Sequence, residues 1–265
     1  VYSIDGIPLK NSTYGWRLKM GSNPFTSISR SLVDFNASGR DGTVQVRGFS
    51  ATPTITLQVT SNLTWLDDLK QLFTLGSALT VTADGSQTAT VELVSLTVTP
   101  WVLTGSTSAG PGLYLVTAVM RLPYVYWRDT NTVTYGPTNI TSSGQTVNVF
   151  PLSSAPVRDA LISVGGSITG LNVAASVGTY FSYPPNVPAG TFLTFDSSNG
   201  RAWTGASAFT ETTEVTGSIA NGRPPYFLEL VGVSNPAVTG SNLVVTYSSA
   251  SGATISVRGK NAYDN

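Results

Sequence analysis

Apolar and polar residues alternate with a period of two along this chain, and that alternation narrows its choice of folds more than any other feature. Val44-Gln45-Val46-Arg47-Gly48-Phe49 shows it, as do Ile55-Thr56-Leu57-Gln58-Val59-Thr60 and Val91-Glu92-Leu93-Val94-Ser95-Leu96-Thr97-Val98. Each stretch puts apolar side chains on one face of an extended backbone and polar ones on the other, the pattern of a half-buried strand. Asp41-Gly42, Asp84-Gly85, Asn199-Gly200 and Asn221-Gly222 fall between such stretches and suit the positive φ of tight connections. A mostly β chain with antiparallel connections is expected.

One segment follows another period. In Asn62–Phe73 the apolar Trp65, Leu66, Leu69, Leu72 and Phe73 recur at the spacing of one helical stripe. Asn62 or Thr64 suits the N-cap, Asp67 and Asp68 suit the positive end of the helix dipole, and Gly76 suits the stop. A single α-helix at about 62–75, docked on a sheet through an aromatic and leucine stripe, is expected.

The chain contains no histidine and no cysteine. A His general base, a Ser-His-Asp relay, a Cys/His zinc site and a disulfide are therefore excluded within one chain. No cofactor or metal site is expected: no phosphate-binding Gly-rich loop and no Asp-rich calcium loop is present. Fourteen basic residues offset fourteen acidic ones, which argues against general nucleic-acid binding. No apolar run approaches the ~18–20 residues of a membrane span, and the opening Val1–Asp5 lacks the basic and apolar regions of a signal peptide. A soluble chain without membrane insertion is expected.

The aromatic segment Arg121–Asp129 ends the first β region, and a Thr-, Gly- and Ser-rich stretch follows. Splitting after Arg128 leaves nine basic and seven acidic residues before it, five and seven after it. Two domains are expected: residues 1–128, a β-sandwich with the docked helix, and residues 129–265, where short strands and Gly, Pro and Asn turns suggest a jelly-roll-like sandwich.

Between the strand-like Ile28–Phe35 and Val44–Phe49 lies Gly39-Arg40-Asp41-Gly42, two glycines around opposite charges. It reads as a solvated hairpin loop, or as a loop whose Arg40 and Asp41 meet a neighbouring subunit. The order of this loop, the opening Tyr2-Ser3-Ile4-Asp5-Gly6-Ile7-Pro8-Leu9, the single helix and the Pro123-Tyr124-Val125-Tyr126 hinge resembles that of siphophage distal tail proteins. The second half is similar to their C-terminal galectin-like or carbohydrate-module-like sandwich, through Phe192–Arg201, Gly240–Tyr247 and Ile255–Arg258 before Tyr263.

The resemblance implies a minor tail protein of a long-tailed phage virion: a hexameric ring at the tail tip or baseplate, with N-terminal domains around the lumen. Its partners would be the tail tube protein, the tail hub and, in many phages, receptor-binding proteins, with genomic DNA passing only in transit. A related tube protein shares a similar N-terminal plan. Location would be the virion tail tip, and the host cytoplasm during assembly.

A virion-associated carbohydrate-binding protein, contacting host surface glycans, is the second reading. A lectin site needs an exposed ring for the sugar and polar groups for its hydroxyls. Trp203, with Asp196 and Arg201, would supply those parts, although galectin-type sites use a histidine that is missing here. A core or rim tryptophan is the expected role of Trp203. Catalysis is the third reading, through a carboxylate pair of the glycosidase type. Glu211 and Glu214 are the nearest such pair, but a spacing of three would put them on opposite faces of a continuous strand. No enzyme activity is expected.

Overall fold

Alternation becomes antiparallel sheet wherever its apolar face finds cover, and antiparallel pairing runs through the sheets of both units. The computed structural model describes residues 2–19, 22, 30–36, 43–50, 52–81, 87–101, 112–176, 178–222, 228–231 and 241–263. The chain divides into two compact units, one running to Trp127 and the other covering Arg128–Tyr263.

In chain order the first unit contains β1 (Tyr2–Ile4), β2 (Ile7–Pro8), β3 (Arg17–Leu18), β4 (Arg30–Asn36), β5 (Thr43–Ser50) and β6 (Thr54–Asn62). Helix α1 (Leu66–Leu75), β7 (Ala78–Val81), β8 (Gln87–Thr90), β9 (Glu92–Trp101) and β10 (Leu113–Arg121) follow, and β11 (Trp127–Asp129) spans the boundary. One sheet has the order β3-β6-β10-β9, another contains β2-β1-β7-β8, and β4 pairs with β5. In the first sheet Ile55, Leu57 and Val59 stand opposite Met120, Ala118 and Val116, and all six are buried. Each large one contributes ~1.5–3 kcal/mol relative to exposure. Helix α1 contacts this sheet at β6, β9 and β10, and buries Leu66, Leu69 and Phe73.

The helix begins at Leu66, four residues later than Asn62. Asn62 is still paired with Leu113 as the last residue of β6, and its Oδ1 accepts the Trp65 N–H at 3.1 Å. Asn62 thus caps the turn that leads into the helix, and the helix itself has no side-chain cap. Gly76 ends it in an extended conformation, φ −67°, donating its N–H to Leu72 O. Glycine is required there by space: a Cβ would lie 2.2 Å from Ile4 Cγ2 and 2.5 Å from Leu72 O.

The doubled Leu93-Val94 inside the Val91–Val98 alternation marks a β-bulge, where the β9–β10 register shifts between Val119 and Met120. Leu93 and Leu96 consequently stand opposite Met120 and Ala118, while Val94 is 57% exposed. Sheet order leaves β9 with an open edge among the described strands.

The second unit continues with β12 (Val133–Asn139), β13 (Gln145–Val149), β14 (Pro156–Val157), β15 (Leu161–Thr169), β16 (Leu171–Ala175), β17 (Tyr180–Tyr183) and β18 (Phe192–Asp196). Then come β19 (Ala202–Gly205), β20 (Thr213–Glu214), a 3-10 turn at Thr216–Ser218, β21 (Ala220–Gly222), β22 (Leu230–Val231), β23 (Ser241–Thr246), β24 (Ser249–Gly259) and β25 (Ala262–Tyr263). Two sheets, β12-β24-β15-β18-β19-β20 and β13-β23-β16-β17-β21, form a sandwich. Phe195 of the first stacks on Phe181 of the second with ring centroids 4.1 Å apart, and Ile162, Val164, Val173, Val245 and Val257 are fully buried. Asn199-Gly200 makes a turn, with Gly200 at φ +73°, whereas Asn221-Gly222 lies inside β21, paired with Phe181 and Tyr180. The strand wins there because β17 offers an edge.

Candidate functional site

Three groups of residues bear on function, and the structure treats each differently. Gly39, Arg40, Asp41 and Gly42 lie outside the described residues. Their flanks are paired, Asn36 opposite Thr43 in the β4–β5 register.

In the first unit, the Asp5-Gly6 turn brings β1 and β2 together, with Asp5 at φ +47°. The Asp5 carboxylate accepts the N–H groups of Ser77 and Ala78, the latter at 2.8 Å, and so ties the N-terminal turn to the end of α1. Tyr14 stacks on Trp16 at 4.6 Å and meets Trp65 edge-on at 5.1 Å, while Trp16 Nε1 donates to Trp65 O. Between the turn, this aromatic group and α1 runs an open groove of about 320 Å³ lined by Asp5, Ile7, Tyr14, Trp16, Asp68 and Leu75, among others. Ile7 and Leu75 are 39% and 70% exposed. On the four-stranded sheet, Lys19 Nζ sits 3.5 Å from the centre of the Trp101 ring, a contact that partly compensates a cation held against an aromatic.

In the second unit Asp196, Arg201 and Trp203 lie on neighbouring strands or in the turn between them, as their sequence spacing suggests. Their chemistry is largely committed to each other and to near neighbours. Asp196 Oδ1 accepts the Ser198 N–H at 2.8 Å and its hydroxyl at 2.7 Å, and Oδ2 accepts Asn199 Nδ2 at 2.9 Å. Arg201 donates through Nε and Nη2 to Glu214 Oε1 and Oε2 at 3.2 and 2.9 Å, and its guanidinium carbon lies 5.1 Å from the Trp203 ring centre. The Arg201 hydrogen bonds, then that of Thr216, hold the Glu214 carboxyl below the usual carboxylate range, and Glu214 raises Arg201 in return. Trp203 is 8% exposed. It is a rim tryptophan under a guanidinium, and no bare stacking platform.

Glu211 and Glu214 do not form a carboxylate pair on one strand, because only Thr213 and Glu214 belong to β20 and Glu214 is engaged with Arg201. Among the described residues no cluster of three His, Cys, Asp or Glu side chains could hold a metal ion. No described helix is long and apolar enough to cross a membrane.

Sequence reasoning missed the loop Ala206–Thr212, which crosses the outer face of the six-stranded sheet. Phe209 adopts φ +61° there, donates its N–H to Ser163 Oγ at 3.4 Å and carries the Arg258 guanidinium 4.4 Å above its ring. The one signal available was a lone aromatic in a Ser/Thr-rich run directly after Gly205, whose added Cβ would meet Thr210 O at 2.5 Å.

The fold so described is mostly β, with one α-helix and stacked antiparallel sheets in two units. That arrangement is shared with the SPP1 Dit protein, whose crystal structure is described as a paradigm of the hub adsorption apparatus in phages infecting Gram-positive bacteria. The match covers 98% of each chain, with a TM-score of 0.58 and 13% sequence identity, and it bears out in fold the resemblance to siphophage distal tail proteins. Two structures of the phage P2 baseplate in its activated conformation, with Ca and with Sr, align over 97% of each chain at 11% identity, with TM-scores of 0.35 and 0.36, too low to define a shared fold. No family model and no curated protein sequence matches.

Proposed function

We propose that this protein is a structural component of the tail tip of a long-tailed phage, acting as the distal tail ring between the tail tube and the adsorption apparatus. The observation that carries this reading is the end-to-end correspondence with the SPP1 Dit fold, 98% of one chain onto 98% of the other.

On this reading residues 1–128 form the ring, most simply a hexamer closed by rotation so that no sheet edge is left unpaired. Residues 129–265 project outward, and Gly39-Arg40-Asp41-Gly42 meets the neighbouring subunit. The tube protein, the tail hub and receptor-binding proteins are its partners, and genomic DNA only passes through. Its work is mechanical, without catalysis, in the virion and, during assembly, in the host cytoplasm. Native mass spectrometry of the complex released from virions tests this: six copies in one closed assembly are expected. A strictly monomeric subunit within the particle would end the ring reading.

A further inference from the structure

The first unit carries one ring held out in solvent and one open groove. Tyr124 is the only exposed aromatic among the described residues of that unit, at 71%. It stands on the crest of a turn whose ends are sunk in the core, with Leu122 and Tyr126 only 1% and 7% exposed. Three backbone hydrogen bonds fix the turn. Leu122 N–H donates to Pro53 O at 2.9 Å, Val125 N–H to Leu122 O at 3.0 Å and Tyr126 N–H to Tyr124 O at 2.7 Å. Val125 takes φ +68°, a left-handed conformation that is costly for a β-branched residue. The backbone is strained at the place where it presents a single large ring.

The groove between the Asp5-Gly6 turn and α1 has the complementary chemistry. Ile7, Tyr14, Trp16, Leu72 and Leu75 give it apolar walls, and Asp5, Asp68 and Gln71 are its polar side chains. The Asp5 carboxylate is taken up by Ser77 and Ala78, and the adjacent Asp67 pairs with Lys70. Asp68 and Gln71 make no side-chain hydrogen bond or ion pair with the described residues. They stand at i and i+3 on α1, and so next to each other. A phenol matches this set: its ring meets the walls, its O–H donates to Asp68 and its oxygen accepts from the Gln71 amide. An ammonium or guanidinium would satisfy Asp68 but offers Gln71 no acceptor.

Ring and groove belong to opposite ends of the four-stranded sheet. The Tyr124 turn follows Arg121, which stands opposite Thr54 at the start of β6. The aromatic end of the groove is tied to Asn62 at the end of β6, through the Trp65 N–H and, from Trp65 O, the Trp16 indole. Nine residues of strand span ~26 Å from one end to the other. Tyr124 therefore cannot fill the aromatic end of its own groove.

We propose that Tyr124 of one copy inserts between Tyr14, Trp16 and Asp68 in the groove of a second copy of this chain. Knob and groove are different surfaces, so the pairing is head-to-tail, and each added copy offers the next a free groove. The anchored turn has already ordered the ring, which lowers the cost of binding it. This contact names the joint between neighbouring subunits of the ring proposed above and rests on that reading.

The test mixes full-length variants and reads their mass by native mass spectrometry and sedimentation at up to ~1 mM chain, where weak contacts register. Wild type is expected to form multimers. Tyr124→Ala keeps the groove and lacks the knob, whereas Leu75→Arg, at a position 70% exposed, keeps the knob and blocks the groove. Each alone should stay monomeric, and their equimolar mixture should stop at a heterodimer. Tyr124→Phe and Asp68→Asn should each weaken pairing about tenfold, and together no further, because both remove the same hydrogen bond. Excess N-acetyltyrosinamide should compete, and N-acetylargininamide should not. Single variants that close the same ring as wild type would leave the ring standing and end this contact. A wild type that is monomeric at that concentration also ends it, and the complex released from virions then judges the ring separately. Competition by the arginine amide alone would assign the groove to a basic segment and overturn the tyrosine.

Discussion

Replacing Gly76 by alanine sets two opposing effects against each other. The backbone at Gly76, φ −67°, is one that any residue adopts. Conformational entropy alone would therefore make Gly76→Ala stabilising by ~0.4–1 kcal/mol. Space decides the other way. The new methyl would lie 2.2 Å from Ile4 Cγ2 and 2.5 Å from Leu72 O. Ile4 is fully buried and β-branched, so its χ1 has little freedom to yield. Leu72 O accepts the Gly76 N–H at 2.9 Å, so moving it breaks the bond that closes the helix. Overpacking of ~1–3 kcal/mol, together with a weakened hydrogen bond of ~1 kcal/mol, outweighs the entropic gain. The net expectation is a loss of about 2 kcal/mol. Gly217→Ala is the control, because nothing lies within 4 Å of its added Cβ, and it should stabilise by ~0.4–1 kcal/mol. Urea unfolding reads both, using the emission of Trp16 and Trp65 for the first unit and of Trp203, the one tryptophan after Trp127, for the second. A Gly76→Ala protein as stable as wild type would refute the steric account.

Truncating one ring of the inter-sheet stack, Phe181→Ala, should cost ~3–5 kcal/mol. A double-mutant cycle with Phe195→Ala should show ~0.5–1.5 kcal/mol of coupling, and additivity would mean the rings do not pack as a pair. If the proposed ring role holds, replacing Arg40 and Asp41 together by Ala should leave the urea midpoint almost unchanged, as expected of charges in a loop that the sequence reads as solvated, yet lower tail completion and phage titre; an unaltered titre would leave an ordinary hairpin loop. Burial, with the Asp129 hydrogen bond second, pushes the Tyr263 phenol up to about 12 from the ordinary value of 10.0. Its contribution is whole below pH ~10 and is lost as pH rises through the folded value, because the unfolded phenol releases its proton first. Stability measured from pH 9 to 12 should therefore fall in wild type and fall less steeply in Tyr263→Phe.

The period of the sequence carried the β class and the position of the helix, because both depend on neighbours two to four residues away. It carried less where long-range partners decide. Asn62 was legible as a cap but not as the end of a strand, since that depends on Leu113. The slip at Leu93-Val94 was in the sequence, but its reading as a bulge needed β10 beside it. Arg201 lies close in sequence to Asp196, yet its carboxylate partner is Glu214, brought over by the β19–β20 pairing. Trp203 could be assigned to a core or rim from its type alone, but the guanidinium over its ring could not. Phe209 was invisible for the same reason: the oxygen that meets its N–H belongs to Ser163, forty-six residues earlier.

The place of β24 in its sheet has a consequence for how the protein is made. Of the strands in the six-stranded sheet it comes last in the chain, yet it lies between β12 and β15 and pairs with both. While the ribosome is still short of residue 249, β12 and β15 have no common neighbour and the sandwich has no centre. At ~5–20 residues per second, β12 waits on the order of ten seconds for its partner to emerge. A chain released early would carry a second unit without its middle strand, open to proteolysis. Translation itself would thus act as a check that only finished chains persist.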